Sequence, residues 1–232
     1  MCRVLHGSLD RYCTLRDMTS VQTAPSYRLV IFDFDGTLAD SAEWMIRTLN
    51  DIAGQFGLRR VDAAEVQMLR GRSSTEIIRH LGVPVWKLPM IAAEMRRRIS
   101  AEVDRIGVFA GVADMLRALD EGDKKLAIVS SNSEQNVRRV LGAENAARID
   151  AFDCSAAMFG KAGKMRSVMR TLSVAARETL YIGDETRDIE AAREVGAASG
   201  AVAWGYAKPE ILATFRPTLT FDTLNDIATE IL

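Results

Sequence analysis

Two aspartates one residue apart, Asp33 and Asp35, close the apolar run Tyr27-Arg28-Leu29-Val30-Ile31-Phe32 and lead into Gly36-Thr37-Leu38-Ala39-Asp40-Ser41. A carboxylate pair of this kind can divide the labour of group transfer, one acid attacking and the other moving protons. Three further features fall at the ends of apolar runs. Ser130 ends Leu126-Ala127-Ile128-Val129, Lys161 follows Phe159-Gly160 behind a weaker run at 149–154, and Asp184, with Asp188 beyond it, follows Thr179-Leu180-Tyr181-Ile182-Gly183. Each has an ordinary use as well. Asp-Gly is turn chemistry, Ser130 to Ser133 are helix-capping residues, and acids at 184 and 188 suit a helix N-terminus. Lys164 competes with Lys161 from one helical turn deeper. Their joint placement is the specific signal, because a parallel sheet gathers the carboxyl ends of its strands on one edge.

The elements that must position these groups are readable from periodicity. The run 27–32 is short and rich in β-branched and aromatic residues, as a buried strand is. Beyond Ser41 the period lengthens: Met45, Leu49, Ile52 and Phe56 predict one apolar helical face closed by Gly57, and short helices are predicted at 62–69 and around Ile77, Ile78 and Leu81. Gly71-Arg72-Ser73-Ser74 breaks the pattern between them, and Leu88, Ile91, Met95 and Ile99 predict a longer helix to about Val103. From Val108 strands and helices alternate: strands at 126–129, 149–154, 179–182 and 198–204, helices between them, and a last short strand and helix through Leu232. The expected fold class is α/β, with a Rossmann-like parallel sheet core of residues 27–41 and 108–232 and an inserted all-helical cap of residues 42–107. Residues 1–26 are expected to be a loosely ordered tail, within which Met18 is an alternative start.

Composition narrows the partners. A net charge of -1 offers no electrostatic case for nucleic acid or an anionic membrane, and no run approaches the roughly 18 to 20 apolar residues that span a bilayer. Cys2, Cys13 and Cys154 lack CxxC spacing, so neither a disulfide framework nor a zinc site is indicated, and a cytoplasmic protein is expected. A monomer or homodimer fits equally.

Asp33-Phe-Asp-Gly-Thr-Leu-Ala-Asp-Ser41, the strand ending at Ser130, Lys161, and Gly183-Asp-Glu-Thr-Arg-Asp188 together resemble the four motifs of the haloacid dehalogenase superfamily. The resemblance covers about residues 27 to 232. It is nearest to the phosphoglycolate-phosphatase-like branch, whose helical cap follows the first motif, although Ala110 stands where many members have proline. It implies a phosphatase acting on a small phosphorylated metabolite, such as phosphoglycolate or a sugar phosphate. Asp33 would be the nucleophile that forms an aspartyl phosphate, and Asp35 the general acid and base. Ser130 would bind a phosphate oxygen, and Lys161 would offset charge. Mg²⁺ would be held by the side chains of Asp33 and Asp184 and the carbonyl of Asp35, with Asp188 orienting Lys161 or metal-bound water. Gly36, Thr37, Ser131 and Asn132 are expected beside the substrate, and Arg72 is expected to meet it from the cap. Dehalogenases lack an acid at the position of Asp35, so its presence favours phosphoryl chemistry. A phosphomutase, a pyrophosphatase and a catalytically silent binding protein are the competing readings.

Overall fold

The computed structural model describes residues 26–72, 74–154 and 160–232. The expected tail up to Pro25, Met18 within it, Ser73 and Phe159 lie outside them. Among the described residues the core is a six-stranded parallel sheet in the order β5-β4-β1-β6-β7-β8, formed by β1 (Leu29–Phe32), β4 (Lys125–Ser130), β5 (Ala151–Cys154), β6 (Thr179–Gly183), β7 (Ala198–Val202) and β8 (Leu219–Phe221). β1 lies between β4 and β6, with Leu29 opposite both Lys125 and Thr179. The chain builds outward from β1 on one side through β4 and β5, then crosses to the other side for β6. The carboxyl ends of β1, β4 and β6 are therefore neighbours at the point where strand order reverses, the place where open α/β sheets bind ligands.

Continuous apolar runs suit strands whose two faces are both covered. Val30 and Phe32 of β1, Leu126 and Ile128 of β4, and Leu180 and Ile182 of β6 face one core. That core is completed by Leu116 and Leu119 of α5 (Val112–Glu121), Val137 of α6 (Glu134–Ala147) and Ile227 of α10 (Leu224–Ile231). The alternate residues Leu29, Ile31, Ala127, Val129 and Tyr181 face a second core with Met165 and Val168 of α7 (Lys161–Leu172) and Ala192 of α8 (Thr186–Val195). Ile128 is fully buried at the centre of the sheet. Ile128→Ala is expected to cost about 2–5 kcal/mol in a urea unfolding titration, because the tightly packed surroundings cannot collapse into the vacated space.

Between β2 (Ala39–Asp40) and β3 (Gly107–Val108) the chain is helical: α1 (Ala42–Gln55), α2 (Ala63–Leu69), α3 (Ser74–His80) and α4 (Leu88–Glu102), with single 3₁₀ turns at Val85–Lys87 and Val103–Arg105. β2 and β3 pair antiparallel, Asp40 opposite Gly107, so the chain leaves and re-enters the core through one tied double strand. Strands of this length carry no periodic signal and are invisible in the sequence. The buried stripe of α1 is Trp44, Thr48, Ile52 and Ala53, rotated by about one residue from the expected face, and Met45, Leu49 and Phe56 are only partly covered. The anchor is Trp44, whose Nε1–H donates to Glu102 at 3.2 Å and whose ring joins the sheet core. A further helix, α9 (Pro209–Thr214), follows β7. Among the described residues no helix is long and apolar enough to cross a membrane.

Candidate active site

The turn after β1 is tight. The carbonyl of Phe34 accepts from the N–H groups of Leu38 and Ala39, both at 2.9 Å, and Gly36 adopts φ +80°. A Cβ at Gly36 would lie 2.4 Å from Asp184 Oδ2, so position 36 needs glycine for its backbone and for its clearance. This turn leaves Asp33 buried, its Oδ1 accepting from the Phe34 N–H at 2.7 Å, and returns Asp35 half-buried beside it.

Asp184, at the end of β6, is fully buried; Oδ1 accepts from the Thr37 hydroxyl at 2.9 Å and Oδ2 from the Tyr206 N–H at 2.8 Å. Asp188, in the first turn of α8, accepts from the Glu185 N–H at 2.9 Å. Lys161, the first residue of α7, sends its ammonium between Asp33 and Asp188 and bonds both. Lys164 points elsewhere, donating to the Ser130 carbonyl at 2.6 Å. The Ser130 hydroxyl accepts from the Asn132 N–H at 3.0 Å, which leaves its own hydrogen available to a ligand.

Electrostatics at this edge are dominated by burial. The Asp35 carboxyl is pushed up to about 6, first by desolvation and then by the charge of Asp33, against the lowering effect of hydrogen bonds from Ser41 and Asn132. Burial raises Asp184 well above the carboxylate range, reinforced by Glu185, Asp188 and Asp33. Burial alone would drive Lys161 toward its neutral form, but Asp188 and Asp33 outweigh it and hold the ammonium above the ordinary lysine range. Asp33, Asp184 and Asp188 can each bring a carboxylate oxygen within 4.8 Å of the others. The positive charges beside these acids are Lys161 and the Arg187 guanidinium, and Arg187 is itself paired with Glu185, so the acids remain in excess. A cluster of buried oxygen donors short of positive charge suits a hard divalent cation. All three already accept at both oxygens, and Asp188 is the most heavily engaged, from Lys161, the Glu185 N–H and the Tyr181 hydroxyl.

Residues 30–202 match the model of the haloacid dehalogenase-like hydrolase family. This chain belongs to that family. It is 31% identical over 199 residues to the phosphoglycolate phosphatase of Synechococcus elongatus, covering 85% of this chain and 94% of that one. It is 29% identical over 212 residues to the pyrophosphatase PpaX of Listeria innocua, covering 85% and 93% respectively. Among solved structures, a haloacid dehalogenase-like family hydrolase from Streptococcus pneumoniae superimposes with a TM-score of 0.75 at 20% identity, over 89% of this chain and 99% of that one, a likeness of fold.

The structure of this hydrolase brings Asp33, Asp35, Ser130, Lys161, Asp184 and Asp188 to one sheet edge. It gives different surroundings to several residues expected beside a substrate. Thr37 is 1% exposed and its hydroxyl is spent on Asp184, while the Asn132 side chain donates to Asp35 Oδ2 at 3.3 Å. Gly36 is packed on Asp184, and Ser131 is half-buried after β4. Arg72 is exposed and pairs with Glu76 at 3.6 Å. Its neighbour Arg70 is the residue that reaches the core, donating to the carbonyls of Gly205 and Tyr206, both at 3.0 Å. Ser41, the last residue of the first motif, and Asn136, Gly205 and Tyr206 also touch these groups, a role that no motif assigned to them. The available signal was the position of Gly205 and Tyr206 just past β7, on the same edge as the other strand ends.

Proposed function

We propose that this hydrolase is a Mg²⁺-dependent phosphatase that cleaves a small phosphate monoester through an aspartyl phosphate on Asp33, with residues 42–107 acting as the cap over the site. The observation that carries the reading is the Asp33/Asp35 pair: a buried carboxylate held by Lys161, and two residues later a carboxyl whose proton affinity is raised to about 6. The first is placed to attack and the second to hold a proton near neutral pH, the division that phosphoryl transfer requires. Mg²⁺ would be held by the carboxylates of Asp33 and Asp184 and the Asp35 carbonyl, where it would offset the negative charge of phosphate and nucleophile.

The chain's own groups do the rest. Phe34 N–H and Lys161 fix both oxygens of Asp33, so the nucleophile is oriented before substrate arrives. Asp35 protonates the leaving oxygen and then takes a proton from the water that opens the acyl phosphate. The free Ser130 hydrogen and Lys161 bind phosphate oxygens whose charge grows in the transition state, and Asp188 keeps Lys161 aimed. Helices α1 to α4, entered through a single tied double strand and touching the core near Asp184 through Arg70, would exclude water and favour a small substrate.

Similarity to the Synechococcus phosphatase makes phosphoglycolate the first candidate, and similarity to PpaX makes pyrophosphate the second. Inorganic phosphate release would be measured with phosphoglycolate, sugar phosphates and pyrophosphate, each with Mg²⁺ and with chelator. Mg²⁺-dependent turnover of a monoester is expected, and silence across the panel would overturn the reading. In the same assay Lys161→Ala should lower kcat by about 10²- to 10³-fold, as loss of one preorganised charge does. Lys164→Ala should act mainly on stability; the reverse ranking would exchange their roles.

A further inference from the structure

The carboxyl of Asp35 is held at both oxygens, and each hold continues to the helices between β2 and β3. On one side the Ser41 hydroxyl donates to Asp35 Oδ1 at 3.0 Å and lies 2.6 Å from the Tyr206 hydroxyl. Ser41 has one hydrogen, given to Asp35, so Tyr206 is the donor in that contact. The backbone carbonyl of Tyr206 accepts from Arg70, the residue that ends α2. On the other side Asn132 Nδ2 donates to Asp35 Oδ2 at 3.3 Å. Its Oδ1 accepts from the Ser133 N–H at 2.9 Å and from Asn136 Nδ2 at 3.1 Å, which fixes which end of the amide faces the acid. Asn136 Nδ2 also donates to Ser100 in the last turns of α4, at 3.2 Å.

We propose that Tyr206 and Asn136 are positioning residues for Asp35, each joining one carboxyl oxygen to the helical cap, so that seating of the cap sets the aim of the proton donor. This rests on the phosphatase reading above. Ser41, Asn132 and Asn136 are 0%, 4% and 3% exposed, so water cannot readily replace a lost partner and a disturbance at one end is passed along. Both arms start in the cap, at Arg70 and at Ser100, and they end on the two oxygens of one carboxyl. A cap that lifts removes the outer hydrogen bond of each arm together.

The test is the dependence of turnover on the leaving group. Full-length protein would be assayed on p-nitrophenyl phosphate, whose leaving group needs little protonation, and on an alkyl phosphate, whose leaving group needs it fully. Tyr206→Phe deletes one hydroxyl from a half-buried side chain and is expected to fold. It should lower kcat/KM, which reports transfer to Asp33 and not the later hydrolysis of the acyl phosphate, on the order of tenfold for the alkyl ester, a fraction of a general acid's contribution, with little change in kcat/KM for the aryl ester. Asn136→Ala should show the same contrast. Arg70→Ala combined with Tyr206→Phe should lose less than the product of the single losses, because both act through one arm.

Equal loss of kcat/KM on both esters, or none, would overturn the inference and leave a packing role. Asp35→Asn serves as the reference. If it too lacks a leaving-group contrast, the acid/base reading has failed and not merely its positioning. If Asn136→Ala does not fold, Ser100→Ala, at an exposed outer end, measures the same arm.

Discussion

Asp33→Asn is expected to abolish Mg²⁺-dependent phosphate release, with kcat falling by at least about 10⁴-fold, the scale on which loss of a covalent nucleophile is felt. The substitution keeps the shape of the side chain, and its amide oxygen can still accept from the Phe34 N–H as Asp33 Oδ1 does at 2.7 Å. What it removes is the negative charge and the attacking lone pair. The fold should survive, because Lys161 keeps Asp188 as a partner and the crowd of buried acids loses one of its members. Thermal unfolding should therefore shift little without metal, while the rise in Tm expected of the unaltered protein on adding Mg²⁺ should shrink, one proposed ligand having gone. Phosphate release and a Mg²⁺ titration of Tm check both halves. Retention of more than about 1% of activity, well above the residue expected after loss of a nucleophile, would place the attacking group elsewhere.

The strands that carry the chemistry were legible because they are buried on both faces. Leu126 to Val129 and Leu180 to Ile182 are apolar at every position, and that pattern has one explanation in a chain that alternates strand and helix. Their order was not legible. Nothing local says that β4 and β6 flank β1, which follows from crossover connections and from the packing of α5, α6 and α10 on one face and α7 and α8 on the other. The acids were visible for the same reason as the strands, since each sits where an apolar run stops. Groups that hold the acids were hidden, because they are fixed by approach in space. Thr37 reaches Asp184 across 147 positions, and Asn132 reaches Asp35 across 97. The helical insertion misled in detail. Its apolar residues are spread widely enough around α1 that periodicity alone could not separate Trp44, Thr48 and Ile52 from Met45, Leu49 and Phe56. The expected role of Arg72 rested on its place in a turn, and the structure puts Arg70 at the core loop and pairs Arg72 with Glu76.

Gly205→Ala should be strongly damaging, although position 205 has no functional group. A Cβ there would lie 2.0 Å from Asp184 Cβ and 2.7 Å from its Oδ2, distances that no rotamer change can relieve because the nearest atom belongs to the rigid stem of a fully buried side chain. Gly205 has no left-handed φ, so the conflict is one of contact and not of backbone preference. Either the loop withdraws, breaking the Tyr206 N–H bond to Asp184 at 2.8 Å and displacing the carbonyls that Arg70 holds, or Asp184 turns and gives up Thr37. Both routes move the carboxylate that would bind Mg²⁺. Displacing the support of a metal ligand costs about 10- to 100-fold in metal affinity or activity, and overpacking adds about 1–3 kcal/mol of destabilisation. The variant should therefore need at least tenfold more Mg²⁺ for half-maximal activity, lose about 100-fold in kcat/KM at fixed Mg²⁺, and unfold at lower temperature. Gly163→Ala is the matched control: position 163 is an exposed site within α7 with nothing within 4 Å of a new Cβ. Alanine there should leave the Mg²⁺ requirement alone and stabilise slightly through helix propensity. An unchanged Mg²⁺ requirement in Gly205→Ala would mean that the loop after β7 does not hold Asp184 in place, and the hold on the acid would then have to come from Thr37 alone.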